Sequence, residues 1–331
     1  MNVMGNHAQS IEIRARAGLE ALLKPAGLDQ FMEQYFDRQP LHIEGQRGRF
    51  ADLAEIASLR SLIDSGAPWQ VRRLPELYLN GKRVRQEDLV SEYVDMDGYT
   101  AYAPRLERVA RLLDAGATIS CAGMESHFEP LRRLQRLFSH ALRAEVIPLL
   151  FYSRQDHPGL SPHYDCVEIF VLQVCGSKRW HVSSQRASNP VSQAGEAIAY
   201  NASSSGVNIE LHPGHMLYIP RGTFHYAEAI SGESLHVTMA VRIPTYLDWI
   251  EALVSVAANS TELRGYAPLD MQLSVFSNSL AERARSGFIE AIAGQLATDE
   301  FIDELQTRHL VRLEAKEPSE ASSSISTEVS R

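Results

Sequence analysis

The chain has 331 residues, 44% hydrophobic and 22% charged, which supplies a sizeable core and excludes disorder over most of its length. Its 32 Lys and Arg against 41 Asp and Glu give a formal net charge of −9, which argues against a protein that grips nucleic acid across its whole surface. No apolar run is long enough for a membrane span, the N-terminal residues lack the apolar stretch of a signal peptide, and Cys121, Cys166 and Cys175 have no CxxC spacing, so a cytoplasmic, thiol-reducing setting is expected.

The first third reads as mixed and mostly helical. Gln30 to Phe36 is predicted helical with Asp29 as N-cap, ending before Pro40, which disfavours helix at the residue ahead of it. Leu41-His42-Ile43 is extended. Residues 51–65 carry apolar side chains at helical spacing, and 69–85 is strand-like with Asn80-Gly81 as a hairpin turn. Glu129 to Leu142 is amphipathic, with Leu131, Leu134, Phe138, Ala141 and Leu142 on one face. From about residue 147 the pattern changes to short apolar runs between Gly, Pro and Ser: Leu149–Ser153, Val167–Val174, Arg179–Ser183, Met216–Ile219 and Leu235–Ile243. Such strands imply a sandwich or barrel. Residues 184–206 read as a long surface loop. After Pro244, helical spacing returns over Leu247 to Ala257 and over Leu280, Ala284, Phe288, Ile292 and Leu296, and Thr298-Asp299-Glu300 opens a last helix. The Ser- and Glu-rich tail is expected to be disordered.

The candidate chemistry lies in His163-Tyr164-Asp165. On a strand, residues two apart share a face, so an imidazole and a carboxylate project together. A third ligand would complete a two-histidine, one-carboxylate triad, the arrangement that leaves positions open on Fe(II). The motif alone is weak, because twelve histidines and 41 acids yield about one or two such matches by chance. His42-Ile43-Glu44 and His127-Phe128-Glu129 match too, but only His163-Tyr164-Asp165 leads into a strong β run. The third ligand stays open among His181, His212, His215, His225 and His236. His225 opens a strand directly after the Pro220-Arg221-Gly222 turn, the placement a barrel mouth needs. His212 and His215 flank a Pro-Gly turn, and His181 beside Trp180 fits packing or surface. Lys178 leaves a turn into a strand and could pair with a substrate carboxylate, although a solvated hairpin lysine is commoner. Alternation puts Ser234, His236, Thr238 and Ala240 on one small, polar face, which is either pocket lining or the outer face of a strand.

Several ordered blocks together resemble the JmjC-type cupin family of Fe(II)/2-oxoglutarate oxygenases, and within it the ribosomal-oxygenase branch. They are the Tyr35 to Ile43 segment, Gly159 to Asp165, Val167 to Gln173, Gly176 to Trp180, Pro213 to His225 and Leu235 to Thr238, spread over roughly residues 28–245. The resemblance implies an α+β protein with a double-stranded β-helix (jelly-roll) core. His163, Asp165 and His225 would be the iron ligands, Lys178 the partner of the distal carboxylate of 2-oxoglutarate, and Thr238 a further hydrogen-bonding position there. With one residue deleted before His163, Tyr152 matches an aromatic position in that pocket. Fe(II), 2-oxoglutarate and dioxygen would be required.

The expected layout is an N-terminal region (1–146) packed on the barrel, the catalytic core (147–245), a C-terminal helical region (246–314) that could form a homodimer, and a tail (315–331). The implied activity is hydroxylation of an amino-acid side chain in a protein or peptide, a ribosomal protein above all, with no direct nucleic-acid or membrane contact. A peptide natural product, a free amino acid or an N-methyl-lysine are alternative substrates. A cupin of another reaction type and a non-catalytic cupin scaffold are rival readings. Two departures stand out. The family usually has an acidic residue after Pro-Gly where this chain has His215, and residues 246–313 are short for the helical dimerisation segment and winged-helix module of the ribosomal branch.

Overall fold

The computed structural model describes residues 2–71, 73–154, 159–191, 198–261, 263–265, 289–290, 292–299, 301 and 304 of a chain that divides into two units, Met1–Ile243 and Pro244–Arg331. The first unit opens with α1 (Asn2–Leu22) and the single turn α2 (Gly27–Gln30), which runs on into a π-turn over Phe31–Tyr35. The predicted helix is present, but Asp29 does not cap it. Residue 26 is already helical, and the orphan amide of Leu28 is satisfied by the Glu20 carboxylate from the preceding helix.

Next come β1 (Leu41–Ile43), α3 (Ile56–Ser65), β2 (Glu76–Leu79), β3 (Lys82–Arg83), α4 (Gln86–Leu89), β4 (Val90–Val94), β5 (Thr100–Pro104), α5 (Leu106–Asp114), β6 (Thr118–Ala122) and α6 (Glu129–Leu142). Residues 51–53 form turns, so the predicted 51–65 helix starts only at Ile56. Asn80 and Gly81 turn the β2–β3 hairpin with φ of 50° and 77°, the left-handed pair that Asn-Gly favours. Helix α6 spans the residues its periodicity marks and buries Leu131, Phe138 and Ala141. Gly18 lets α1 close on it, because a Cβ there would sit 2.4 Å from Leu137 Cδ1.

The remaining strands are β7 (Glu145–Ser153), β8 (Glu168–Cys175), β9 (Lys178–Arg186), β10 (Gly206–Leu211), β11 (Met216–Ile219), β12 (Thr223–Ala229) and β13 (Ser234–Arg242). They build an eight-stranded sheet in the order β1-β11-β8-β13-β7-β6-β2-β3 and a three-stranded sheet in the order β10-β9-β12, while β4 and β5 pair separately. The larger two are the halves of a double-stranded β-helix. Four strands of the large sheet come from residues before 147, so no boundary between compact units falls at 146/147. The predicted loop 184–206 is shorter than expected, since β9 runs to Arg186 and Gly206 opens β10 against it.

The outer face of the large sheet carries the main core. Phe170 of β8 packs edge-on to Phe138 of α6 at 5.0 Å, and Phe31 of the π-turn meets Tyr218 of β11 at 4.8 Å. Residues 35–43 are tied to this layer by polar groups. The Asp37 amide donates to Tyr218 Oη, whose hydroxyl donates to buried Glu168, and Arg186 clamps the Asp37 carboxylate and carbonyl. Burial raises the Glu168 pKa, and burial beside that carboxylate raises that of Tyr218.

The second unit contains α7 (Tyr246–Ala257), opened by a capping box in which Thr245 Oγ1 accepts from the Asp248 amide and the Asp248 carboxylate accepts from the Thr245 amide. Ala252 is buried with Phe301, and residues 289–290 and 292–296 are helical. The Phe301 amide donates to Thr298 Oγ1, consistent with a helix start there. Leu280, Ala284, Phe288 and the tail after 315 lie outside the described residues. Among the described residues no helix is long and apolar enough to cross a membrane.

Candidate metal centre and adjoining pocket

His163, Asp165 and His225 meet at one point, each offering a ligand atom within 4.8 Å of the others. The fold brings them together through an isolated antiparallel bridge. The His163 amide donates to the His225 carbonyl at 3.1 Å, and the His225 amide returns the bond at 2.8 Å. The Asp165 carbonyl is held in turn by the Gly222 amide at 2.8 Å, which fixes the Pro220-Arg221-Gly222 turn against the strand-like segment carrying the acid.

The two rings are prepared alike. His163 Nδ1 lies 2.9 Å from the Ser161 carbonyl, and His225 Nδ1 lies 2.9 Å from the Thr223 carbonyl. A carbonyl only accepts, so each Nδ1 carries a proton, which leaves Nε2 as the atom each ring can offer to a metal. Burial, followed by the neighbouring His163, lowers the His225 pKa to about 4, so the ring is neutral at physiological pH. His225 Nε2 and Asp165 Oδ2 are 3.5 Å apart. Two imidazole nitrogens and a half-exposed carboxylate at this spacing are a donor set that could hold a divalent first-row metal.

A cavity of about 180 Å³ adjoins this cluster. The three-stranded sheet contributes Lys178 and Trp180 of β9 and His225, Tyr226 and Ala227 of β12, and the large sheet contributes His236, Thr238 and Ala240 of β13. Lys178 is only 3% exposed, and among the described residues no carboxylate pairs with it. Burial alone pushes its amine down to about 7. His236 is buried beside it, stacked on Phe151 at 4.8 Å and edge-on to Trp180, with its pKa lowered by burial and then by Lys178. His236 Nδ1 and Trp180 Nε1 have no hydrogen-bond partner among the described residues. An unpaired amine and two orphan ring nitrogens at the wall of one cavity are groups that an anion could satisfy.

The five candidate histidines separate cleanly. Only His225 reaches His163 and Asp165. His181 stacks on Tyr226 and bonds Asn208, His212 bonds Ser177 Oγ, and His215 Nδ1 meets His42 Nε2 at 3.1 Å. Lys178 and Thr238 line the cavity as expected, but Tyr152 does not. It points to the opposite face of β7, where Arg60 donates to its hydroxyl and it donates to Glu233. The cavity side of β7 belongs to Leu149 and Phe151, one residue out of phase. Glu76 and Tyr78 of β2 and Thr118 and Ser120 of β6, which no sequence motif marks, also line the cavity. Only the alternation along those short strands hints at them.

Residues 124–249 match the family model described as the JmjC domain. The chain carries a JmjC domain. That domain spans α6, all seven strands from β7 to β13 and the start of α7, and contains every metal-ligand candidate. Over 296 residues the chain is 28% identical to ribosomal oxygenase 2 of Rattus norvegicus, covering 84% of this chain and 60% of that one. Over 274 residues it is 27% identical to the bifunctional lysine-specific demethylase and histidyl-hydroxylase NO66 of Drosophila persimilis, covering 79% of this chain and 38% of that one. The chain therefore spans less than two thirds of these relatives' length. In structure it is similar to YcfD, a ribosomal oxygenase from Escherichia coli solved with cobalt and 2-oxoglutarate, with a TM-score of 0.59 at 17% identity over 85% of this chain and 70% of that one.

Proposed function

We propose that this chain is an Fe(II)- and 2-oxoglutarate-dependent oxygenase that hydroxylates an unactivated C–H bond of an amino-acid side chain in a protein, with a ribosomal protein as the expected substrate. The observation that carries the reading is the paired locking of His163 and His225, each Nδ1 committed to a backbone carbonyl and each Nε2 directed to the space shared with Asp165. The JmjC match and the ribosomal-oxygenase relatives support it.

His163, Asp165 and His225 would hold the iron and, with it, one end of the cosubstrate. When bound, iron and 2-oxoglutarate supply the oxidising chemistry, in which dioxygen gives one oxygen atom to succinate and one to the substrate C–H bond. The residues of the chain supply placement. Lys178 would hold the distal carboxylate as a charge-assisted partner, His236 Nδ1 and Thr238 are placed to add hydrogen bonds, and Trp180 and Phe151 keep water from that end. A non-catalytic scaffold has no use for an unpaired buried lysine beside an intact ligand set.

The direct test is succinate formation by iron-loaded protein with 2-oxoglutarate and a ribosomal-protein extract, with His163→Ala as the control. Mass spectrometry then separates gain of one oxygen atom from loss of a methyl group, which distinguishes hydroxylation from demethylation of N-methyl-lysine. N-oxalylglycine, a 2-oxoglutarate mimic, should raise the melting temperature of the metal-loaded protein, and another class of metal-binding cupin should not respond. We also read the C-terminal helical unit as a self-association element, since α7 exposes Leu247, Ile250 and Val254 along one stripe, and sedimentation of a Leu247→Glu variant checks it. Three unpaired cysteines fit a reducing, cytoplasmic compartment.

A further inference from the structure

The β4–β5 hairpin is built unlike the rest of the first unit. Its base is anchored: Leu89 and Val90 are buried, and the Arg105 amide donates to the Leu89 carbonyl at 2.8 Å. Beyond residue 90 it pairs with no other strand among the described residues, and side chains on both of its faces are exposed. Tyr99 is 72% exposed, Val94 70%, Tyr93 50% and Tyr102 44%, and Met96 at the tip is fully exposed. An isolated two-stranded ribbon is marginal in water, and a patch of exposed aromatic and apolar side chains of this kind marks a contact surface.

The arm is nevertheless well formed. Its register is regular from Val90↔Pro104 to Val94↔Thr100, and Asp95 braces the tip by accepting from the Asp97 and Tyr99 amides. Tyr93 and Tyr99 fall on one face beside the small Ala101, and Tyr102 stands directly opposite Glu92 on the other.

Its charge names the partner. From Gln86 to Pro104 there is no Lys or Arg, while Glu87, Asp88, Glu92, Asp95 and Asp97 are all acidic. At the base Arg85 pairs with Glu87 and Asp88 and Arg105 Nε donates to Ser91 Oγ, so beyond that base Glu92, Asp95 and Asp97 are the charged groups of the arm. Exposed edge strands are commonly protected by lysine, and this one carries none. Nucleic acid and anionic membrane are repelled by such a surface, and a second copy of the same arm is repelled by like charge. A guanidinium group satisfies both features at once, stacking on tyrosine faces while donating to carboxylates. We propose that the β4–β5 hairpin is a docking arm for an extended, arginine-rich segment of a protein partner. The inference goes beyond the oxygenase reading, because the arm would hold such a segment whether or not the metal centre acts on it.

The test uses the full-length, metal-free chain and a fluorescein-labelled peptide of alternating Arg and Gly, followed by anisotropy at physiological salt. Saturable binding is expected. Tyr93→Ala, Tyr99→Ala and Tyr102→Ala together should weaken it by roughly tenfold or more, as for aromatic anchors elsewhere. Glu92→Gln with Asp97→Asn should weaken it several-fold, whereas Glu33→Gln with Asp52→Asn, which removes equal charge from exposed sites elsewhere, should not. The Lys-Gly counterpart should bind several-fold more weakly than the Arg-Gly peptide. If the tyrosine variant unfolds the hairpin, the charge pair decides alone. Equal binding by wild type and the arm variants, or an equal loss in the Glu33/Asp52 control, overturns the proposal. Arm-dependent binding of a single-stranded RNA, or arm-dependent self-association in sedimentation, also overturns it by assigning the arm to another partner. Retained Mn(II) binding in every variant separates failure of this proposal from failure of the metal-centre reading.

Discussion

The large and small sheets both face the cavity, yet they are written differently in the sequence. Strand β9 of the small sheet alternates: Lys178, Trp180 and Val182 are buried inward, while Arg179 turns outward to pair with Glu210 and Glu228. Strand β8 of the large sheet is buried almost throughout, with Phe170 and Leu172 under the helices and Ile169 and Val171 facing the small sheet. Strand β9 has a solvent side and strand β8 has next to none. Polarity therefore reports which way a side chain points in β9, and reports nothing in β7 or β8. That difference accounts for the outcome at two residues, since Lys178 reaches the cavity as read and Tyr152, in the apolar run Ile147 to Tyr152, does not.

The largest effect expected is at the rim where the sheets meet. Asp165→Ala should weaken Mn(II) binding, followed by electron paramagnetic resonance, by at least about 100-fold and abolish succinate formation, because a ligand matters more than the groups that orient it. Unchanged metal affinity would show that the cluster is not a metal site.

On the helix-covered face, Phe170→Ala should cost about 3–5 kcal/mol in denaturant unfolding, since it empties a site shared with Phe138, Phe31 and Tyr218. Its metal affinity should be unchanged at temperatures where it is folded. A large loss of metal binding there would show that the two faces are not separable.

On the small sheet, Lys178→Met should lower affinity for N-oxalylglycine by roughly 10–100-fold in calorimetry, the range of a charge-assisted hydrogen bond. The same substitution should stabilise the ligand-free protein. Burial holds Lys178 at about 7 against an ordinary 10.5, so between those values the unfolded chain binds one more proton than the folded chain. Ligand-free stability should thus rise with pH across that window, with the cost of the buried charge fully present below about 7, and Lys178→Met should remove the slope. Binding of the carboxylate should take up protons above about pH 7, measurable by calorimetry in two buffers. A wild-type stability curve flat from pH 7 to 10 would place the amine in solvent.

The smallest effect sharpens the phase of β7. Tyr152→Phe should cost about 1 kcal/mol through the lost bonds to Arg60 and Glu233 and leave N-oxalylglycine affinity unchanged. An affinity loss matching that of Lys178→Met would return Tyr152 to the pocket.

What the amino-acid sequence determined by itself was local. The Asn80-Gly81 turn, the amphipathic α6, the strand blocks after residue 147 and the His163, Asp165 pair all follow from neighbours a few positions away, as does the opening of a strand near His225. The tertiary structure decided the rest. It chose His225 from five histidines through a bridge between residues 62 positions apart, locked both rings with carbonyls at Ser161 and Thr223, recruited β1, β2, β3 and β6 from the N-terminal region into the large sheet, and set the phase of a strand with no polar side to mark it. Those outcomes depend on pairing between distant segments and on which face of a sheet a helix covers, and neither is a property of any short stretch of sequence.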